Sequence, residues 1–217
     1  FNNNLIPNII YVMGNSMKQT IKSYVNNIDV RTAPSYRFTN VFKQINTRKL
    51  TKSILVILPI SEIESYNILS IILESKIQYN RKVFIKPHPL LNLNKILQNF
   101  EGTLSNIFIT NDDINLMLQK CQISVGSSSS SLMESLVRCS PVIIISNNII
   151  NNPIPKNINK KLWSIVFDSK EFLIKLKGID NYLQNEDQDI KIESKKILKN
   201  YFCKPSFINT QQFIYEG

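Results

Sequence analysis

The sequence predicts an α/β protein: a parallel sheet with helices on both faces. Three observations carry that prediction. Short β-branched apolar runs recur along the chain, at Ser53–Leu58, Lys82–Lys86 and Pro141–Ile145. Stretches with apolar residues at helical spacing lie between them. The runs are almost wholly apolar rather than alternating, which suits strands covered on both sides. Such strand–helix–strand units close by right-handed crossovers into a parallel sheet.

The elements follow in order. Asn8–Met13 (NIIYVM) reads as a strand, Gly14 as a turn and Ser16–Val25 as a helix. Residues 31–52 are irregular and basic, like a linker. Ser53–Leu58 (SILVIL) is a buried strand ended by Pro59. Ser61, with Glu64 three residues on, makes a capping-box pattern. Ile68, Leu69, Ile72 and Leu73 then recur at helical spacing. Lys82–Lys86 (KVFIK) is a strand stopped by Pro87 and Pro89, and a helix runs from about Asn94 to Phe100. Asn106–Thr110 (NIFIT) is a third strand. Asn111 caps the following helix, with Asp112 and Asp113 in its positive first turn. Gln122–Val125 is a short strand entering Gly126 and five serines, followed by a helix at Leu132–Val137. Pro141–Ile145 and Ser164–Phe167 are further strands, with a helix near Glu171–Leu176. Asn147–Lys161 reads as a polar loop and Asp187–Tyr201 as a charged amphipathic helix. The expected domains are therefore 1–50, the end of a first domain and a basic linker; 51–180, the sheet domain; and 181–217, a helical tail.

Composition narrows the function. The chain has 217 residues, 43% hydrophobic and 19% charged, enough to build a core and unlike disorder. Mean hydropathy is −0.10 and apolar runs such as Val142–Ile145 are far too short to span a bilayer. No charged-then-apolar leader is visible, and the first residue is Phe1, so a fragment lacking its N-terminal part is expected. Cys121, Cys139 and Cys203 are too scattered for a disulfide framework or a zinc pattern and read as idle thiols in a reducing cytoplasm. With one histidine there is no HExxH motif. The net charge is +10, and residues 1–52 hold eight basic side chains against Asp29 alone. That segment could face anionic lipid headgroups, an anionic acceptor polymer or RNA, or be a solvated basic face. No aromatic RNA-binding motif, Arg-Gly run or zinc finger accompanies it, so nucleic acid is not the favoured partner.

Two loops carry chemistry, and both leave the carboxyl ends of expected strands, where open parallel sheets bind ligands. The first is Lys86-Pro87-His88-Pro89, holding the only histidine. Two prolines stiffen it and remove two amide donors. Lys86 and His88 could pair a phosphate through ammonium and imidazole N–H; the plain alternative is a packing or capping histidine beside a turn. The second loop is Gly126-Ser127-Ser128-Ser129-Ser130-Ser131, running into a helix whose start is marked by Ser131 and Glu134 at capping-box spacing. Backbone amides, the helix dipole and small hydroxyls there suit an anion. The GK[ST] ending of an ATPase loop and the GxSxG of a serine hydrolase are both missing. The plain alternative is a flexible serine linker. Glu134 either caps its own helix or accepts from ribose hydroxyls. No DxD-type carboxylate cluster calls for a metal, and no metal or other cofactor is expected beyond a nucleotide-linked substrate.

The order strand–KPHP, then strand–GSSSSSLMESLVRCSPVIII, resembles the Rossmann-like C-terminal donor-binding domain of GT-B glycosyltransferases. It is most similar to bacterial surface-carbohydrate enzymes with an HP and a downstream SS motif: capsule Kdo transferases, sialyl- and polysialyltransferases, and CDP-glycerol glycerophosphotransferases. ILVILPISEIES resembles the first strand and helix of such domains, and residues 8–42 look like the end of the partner domain and its linker. The resemblance implies that His88 and Pro89 are the HP motif, that the SS motif lies within Ser127–Ser131, and that both meet the donor's phosphate, with Lys86 and Gly126 beside them. Glu134, in its ribose-accepting role, and Pro59 are the residues expected at the nucleotide, and His88 is the residue expected to be catalytic. The implied activity is transfer of a nucleotide-activated sugar, CMP-linked by preference, to a carbohydrate or lipid-linked acceptor in surface or capsular polysaccharide synthesis. A polyol-phosphate transferase of CDP-glycerol type and a nucleotide-sugar epimerase are the neighbouring alternatives; a basic module for RNA or membrane is the alternative of another class. The expected place is the cytoplasm, peripheral at the inner face of the membrane.

Overall fold

The computed structural model describes residues 7–25, 27–43, 49–100, 102, 104–146, 152–185 and 187–215. Its contacts divide the chain into two units: Phe1–Gln44 with Ser194–Gly217, and Ile45–Glu193. The boundary therefore falls near 45, against the expected 51, and the end of the chain groups with its beginning rather than standing as a separate tail.

In the smaller unit, β1 (Ile9–Val12) and β2 (Asp29–Thr32) pair in parallel from Ile9 opposite Asp29 to Val12 opposite Thr32. The helix α1 (Asn15–Tyr24) is their crossover. Val12, Ile28 and Val30 make a small core with Ile10, Ile21 and Val25 against it. The strand β2, whose last two residues fall in the stretch 31–52 expected to be irregular, is short and polar (DVRT) and carries no apolar run to announce it. A 3-10 helix follows at Tyr36–Phe42 and buries Phe38 and Val41.

The larger unit realises the predicted sheet. Its elements are β3 (Leu50–Ile57), α2 (Glu62–Glu74), β4 (Lys82–Lys86), α3 (Leu93–Leu97), β5 (Ile107–Ile109), α4 (Ile114–Lys120), β6 (Cys121–Gly126), α5 (Ser131–Val137), β7 (Val142–Ile145), β8 (Trp163–Val166) and α6 (Ser169–Asn185). Six strands lie in the order β5-β4-β3-β6-β7-β8, all parallel. Every residue of Ile54–Leu58 and of Val142–Ile145 is buried, as double-sided cover requires. The core joins Ile54, Val56, Ile85, Ile123, Ile143 and Phe172 across sheet and helices.

Helix signals hold in kind and shift in register. The Ser61 hydroxyl accepts from the Glu64 amide at 3.4 Å and caps α2. The helix α4 is capped by Asp113, whose carboxylate accepts from the Asn115 amide at 2.8 Å, not by Asn111. The Thr110 hydroxyl takes the Asp112 amide and so moves the helix start two residues on. Ser131 is the first helical residue of α5, so it is not that helix's N-cap. The helix expected near Glu171–Leu176 extends to Asn185, because Phe172, Leu176, Ile179 and Tyr182 continue one buried stripe. Of the expected loop 147–161, residues 147–151 lie outside the described residues.

The helix α7 (Asp187–Tyr201) matches its prediction, and the division between the units falls inside it. Beyond it, α8 (Phe207–Tyr215) returns to the opening segment. The Phe202 ring meets Phe38 edge-on at 5.3 Å, and Phe213 meets Tyr11 at 5.0 Å. The Ser35 hydroxyl donates to Met13 O at 3.1 Å and accepts from the Cys203 amide at 3.0 Å. Gly14 lets this approach happen: a Cβ there would lie 2.6 Å from the Asn200 carbonyl oxygen. Among the described residues no helix is long and apolar enough to cross a membrane.

Candidate functional site

The strand order reverses between β3 and β6. From β3 the chain steps outward to β4 and β5, then returns to the other side of β3 to place β6, β7 and β8. Helices on either side of such a switch point diverge and leave a crevice at the carboxyl ends of the two central strands. What fills that rim is set by the turns after β3, β4 and β6.

The turn after β4 is pinned to the end of β3. The Leu58 amide donates to Lys86 O at 3.0 Å, and the His88 amide donates to Leu58 O at 3.0 Å. The His-Pro loop thus extends the ladder two residues beyond the strand, with Pro87 lacking an N–H between the two bonded positions. The His88 side chain is exposed. Its Nδ1 accepts from the Leu90 amide at 3.2 Å. With Nδ1 engaged as acceptor, Nε2 is the ring nitrogen that carries an N–H. Lys86 is half-buried and opposite Ile57 in the register.

The turn after β6 lies on the other flank of β3. Val125 is opposite Val56, which brings Gly126 level with Ile57. A Cβ at Gly126 would sit 3.1 Å from the Ile57 carbonyl oxygen and 3.4 Å from the Leu132 side chain, so the small residue lets the turn hug β3. Lys86 and Gly126 therefore flank the same residue at the same height. At about 4.8 Å per strand spacing, their backbones stand about 10 Å apart. Both sequence-selected loops share the carboxyl rim of the sheet, with only the end of β3 between them.

Within the serine loop the roles differ. Ser127 is buried and Ser128 exposed. The Ser127 hydroxyl donates to Glu64 Oε2 at 2.6 Å, and the Ser128 hydroxyl reaches the same oxygen at 3.4 Å. The Ser129 hydroxyl accepts from the Ser131 amide at 3.3 Å and shapes the entry into α5. Ser130 and Ser131 are half-buried, and Ser131 O accepts from the Ser135 hydroxyl at 2.9 Å. Glu134 is buried, and its carboxylate acts on the Arg138 guanidinium one turn on, raising a pKa that burial lowers. Pro59 is half-buried in the turn after β3, and its carbonyl accepts from the Ser65 hydroxyl at 3.0 Å.

Glu64 is the residue the sequence did not single out for this rim. The capping-box spacing assigned it to its own helix, and its amide does take the Ser61 cap. Its carboxylate instead crosses from α2 to the serine loop, 63 residues further along the chain. Chemically the rim offers an imidazole N–H, an ammonium and a row of hydroxyls at a strand switch, with one carboxylate already drawn to the hydroxyls.

No family model and no curated protein sequence matches the chain. Solved structures do. TarM, 16% identical, matches over 99% of this chain and 44% of its own with a TM-score of 0.56. The wall teichoic acid polymerase TagF, 10% identical, matches over 95% of this chain and 56% of its own with a TM-score of 0.54. The pneumococcal O-GlcNAc transferase GtfA, solved with UDP and GlcNAc, is 11% identical and matches over 90% of this chain and 42% of its own with a TM-score of 0.52. The chain spans about half the length of these proteins. The likeness shows the fold: the α/β architecture of GT-B proteins, with the six-stranded sheet as a Rossmann-like domain.

Proposed function

We propose that this chain is the donor-binding part of a glycosyltransferase, which holds a nucleotide-activated sugar at the rim between β3, β4 and β6 for transfer to a surface or capsular carbohydrate acceptor. The observation that supports it best is the common height of Lys86 and Gly126 on either side of Ile57. By that register a His/Lys loop and a serine loop leave neighbouring strands beside one strand switch point, the kind of place where open parallel sheets take nucleotides.

In this reading the glycosidic bond breaks and negative charge grows on the departing nucleotide phosphate. Donors already aimed at that phosphate stabilise the transition state more than the ground state. The His88 Nε2–H, its ring held by the Leu90 amide, is the first such donor. The Lys86 ammonium and the Ser127 and Ser128 hydroxyls are the others, and each contributes about 2–4 kcal/mol if it meets the developing charge. The serines lead this assignment within Ser127–Ser131, because their hydroxyls already converge on a carboxylate oxygen. In this reading protein cations, rather than a metal ion, meet the phosphate charge. Glu134, buried next to Arg138, is kept as a ribose acceptor only if the nucleotide reaches that first turn of α5.

CMP is the favoured donor nucleotide on the HP and SS motifs, and UDP is tested beside it because GtfA was solved with UDP. A cytoplasmic site at the inner face of the membrane and a lipid-linked acceptor belong to the same proposal. The test is calorimetric titration of the chain with CMP and UDP, wild type against His88→Ala. Loss of at least about tenfold in affinity with unchanged circular dichroism is expected; wild-type affinity in the variant overturns the assignment.

A further inference from the structure

The helix α8 sits in the smaller unit with its faces reversed. In a surface helix of a folded protein the apolar stripe turns inward and the polar side chains meet water. Phe207, Ile208, Ile214 and Tyr215 recur at the spacing that puts them on one face, with Gln211 as the one polar side chain between them. That stripe stands in solvent: the four are 76%, 67%, 61% and 80% exposed. No residue of α8 is buried.

The polar residues are the ones turned in. The Thr210 hydroxyl accepts from the Tyr36 hydroxyl at 2.8 Å, and the Asn209 side-chain amide donates to Lys204 O at 3.0 Å. Both residues are half-buried. On the same side Phe213 sets its ring against Tyr11. These contacts fix the roll of the helix about its axis. Its start is fixed as well, because the Ser206 hydroxyl accepts from the Asn209 amide at 3.2 Å and Ser206 O from the Thr210 amide at 2.9 Å. The stripe is thus presented on a helix already formed and already oriented, with little ordering left for a partner to impose. Four large apolar side chains held in water forgo the main driving force of folding, and such a patch marks a contact surface.

Charge selects what covers it. Over its whole sequence the unit, Phe1–Gln44 with Ser194–Gly217, has nine Lys and Arg side chains against the two carboxylates Asp29 and Glu216. One of the nine, Lys204, lies three residues before α8 and is exposed. A second copy brings the same excess, so pairing stripe to stripe sets like charges within a Debye length of each other. An anionic lipid surface complements both features. Its headgroups attract the cations, and the boundary with the acyl chains takes the apolar side chains. Tyrosine is at home at that boundary, with its ring in the apolar layer and its hydroxyl towards water.

We propose that α8 is an interfacial helix that docks the smaller unit on an anionic bilayer through Phe207, Ile208, Ile214 and Tyr215. Nine residues are too few to anchor a protein by apolar burial alone, so the docking is reversible and needs both the stripe and the charge of the unit. This gives the membrane-facing part of the functional reading a surface and rests on that part alone, since no residue of the donor rim takes part.

The test is co-sedimentation of the chain with vesicles of phosphatidylglycerol mixed with phosphatidylcholine, and with vesicles of phosphatidylcholine alone. Sedimentation with the anionic vesicles only is expected, falling as salt is raised. The triple variant Phe207→Gln/Ile208→Gln/Ile214→Gln should partition at least about tenfold more weakly. Its circular dichroism and melting temperature should match the wild type, because none of the three side chains is buried. Phe207→Trp should add a fluorescence that brominated acyl chains quench, which attraction to headgroups alone does not give. A wild-type chain that leaves the anionic vesicles unbound overturns the proposal, and so does a triple variant that binds like the wild type, since charge alone then suffices. A melting temperature several degrees lower in that variant also overturns it, by placing the stripe against other protein, as does a wild-type dimer that the triple variant abolishes. Nucleotide titration keeps the two readings apart: His88→Ala should bind vesicles as the wild type does, and the triple variant should bind nucleotide as the wild type does.

Discussion

The Ser127 hydroxyl donates to the Glu64 carboxylate at 2.6 Å and so ties the helix after β3 to the turn after β6. This bond holds the serine loop in place and also fills, with an anion belonging to the protein, the hydroxyls offered to a donor phosphate. The two effects have opposite signs. A hydrogen bond to a charged group contributes about 1.5–3 kcal/mol to stability when it is shielded, and here Ser127 is buried and Glu64 half-buried. A carboxylate beside an incoming phosphate works against binding.

Glu64→Gln separates them. The amide keeps an acceptor for Ser127 and removes the negative charge. Urea denaturation should show a loss of about 1 kcal/mol, as a charge-assisted bond becomes a neutral one. Nucleotide affinity, by calorimetry, should rise several-fold in the same protein. An affinity that falls instead would mean that Glu64 serves the ligand, through a ribose hydroxyl or the sugar, and that the competition argument is wrong.

Much of this rim is legible in the sequence because it follows from strand direction alone. SILVIL reads as a buried strand and KVFIK as the next strand, their connection through a helix makes them parallel, and parallel strands put His88 and Ser127 at one end of the sheet. The neighbour order around β3 is a tertiary fact and is not written in any local pattern. The Glu64 carboxylate is hidden for the same reason, since its partner is 63 residues away while a sufficient local role, the cap by Ser61, accounts for the glutamate. Asp113 displaces Asn111 as a cap because two good capping residues compete and the Thr110 hydroxyl decides between them. The strand β2 goes unread because its sequence, DVRT, lacks a clear period, and α8 is legible only as part of a helical tail over 181–217, since FINTQQFIY marks no bounds of its own. Phe213 finds its ring partner only at Tyr11, across nearly the whole chain.

A second long-range tie bears on stability rather than on the site. The Arg81 guanidinium, at the start of β4, pairs with the Asp180 carboxylate on α6. Arg81 is only 8% exposed and Asp180 27%. Breaking such a pair from one side strands a charge in a poor solvent, and Asp180→Ala should cost about 3 kcal/mol by urea denaturation. Replacing both, Arg81→Met with Asp180→Leu, should recover most of that loss, because an apolar pair carries no desolvation penalty. Additive losses in the double variant would show that the pair itself, and not the orphaned charge, supports the fold.

The Lys49 ammonium is held at the amino end of the sheet by Leu118 O at 3.2 Å, Cys121 O at 3.0 Å and the Ser140 hydroxyl. The residue as a whole is half-buried, but its charged end lies inside, and burial lowers its pKa from 10.5 to about 8. The unfolded chain therefore holds this proton more tightly than the folded one. Stability should be lowest below pH 8, where the folded state bears the full penalty, and should rise with pH from about 8 towards 10.5. Cys121 acts against this rise higher up. Burial lifts its thiol from 9.0 to about 11, so the unfolded state gains by ionising it and stability falls as pH passes 9. The clean window is pH 8 to 9, where wild-type stability should climb by about 1 kcal/mol. In Lys49→Met the climb should vanish, and in Cys121→Ala it should continue beyond pH 9. A Lys49→Met protein that still gains stability between pH 8 and 9 would assign that titration to another group.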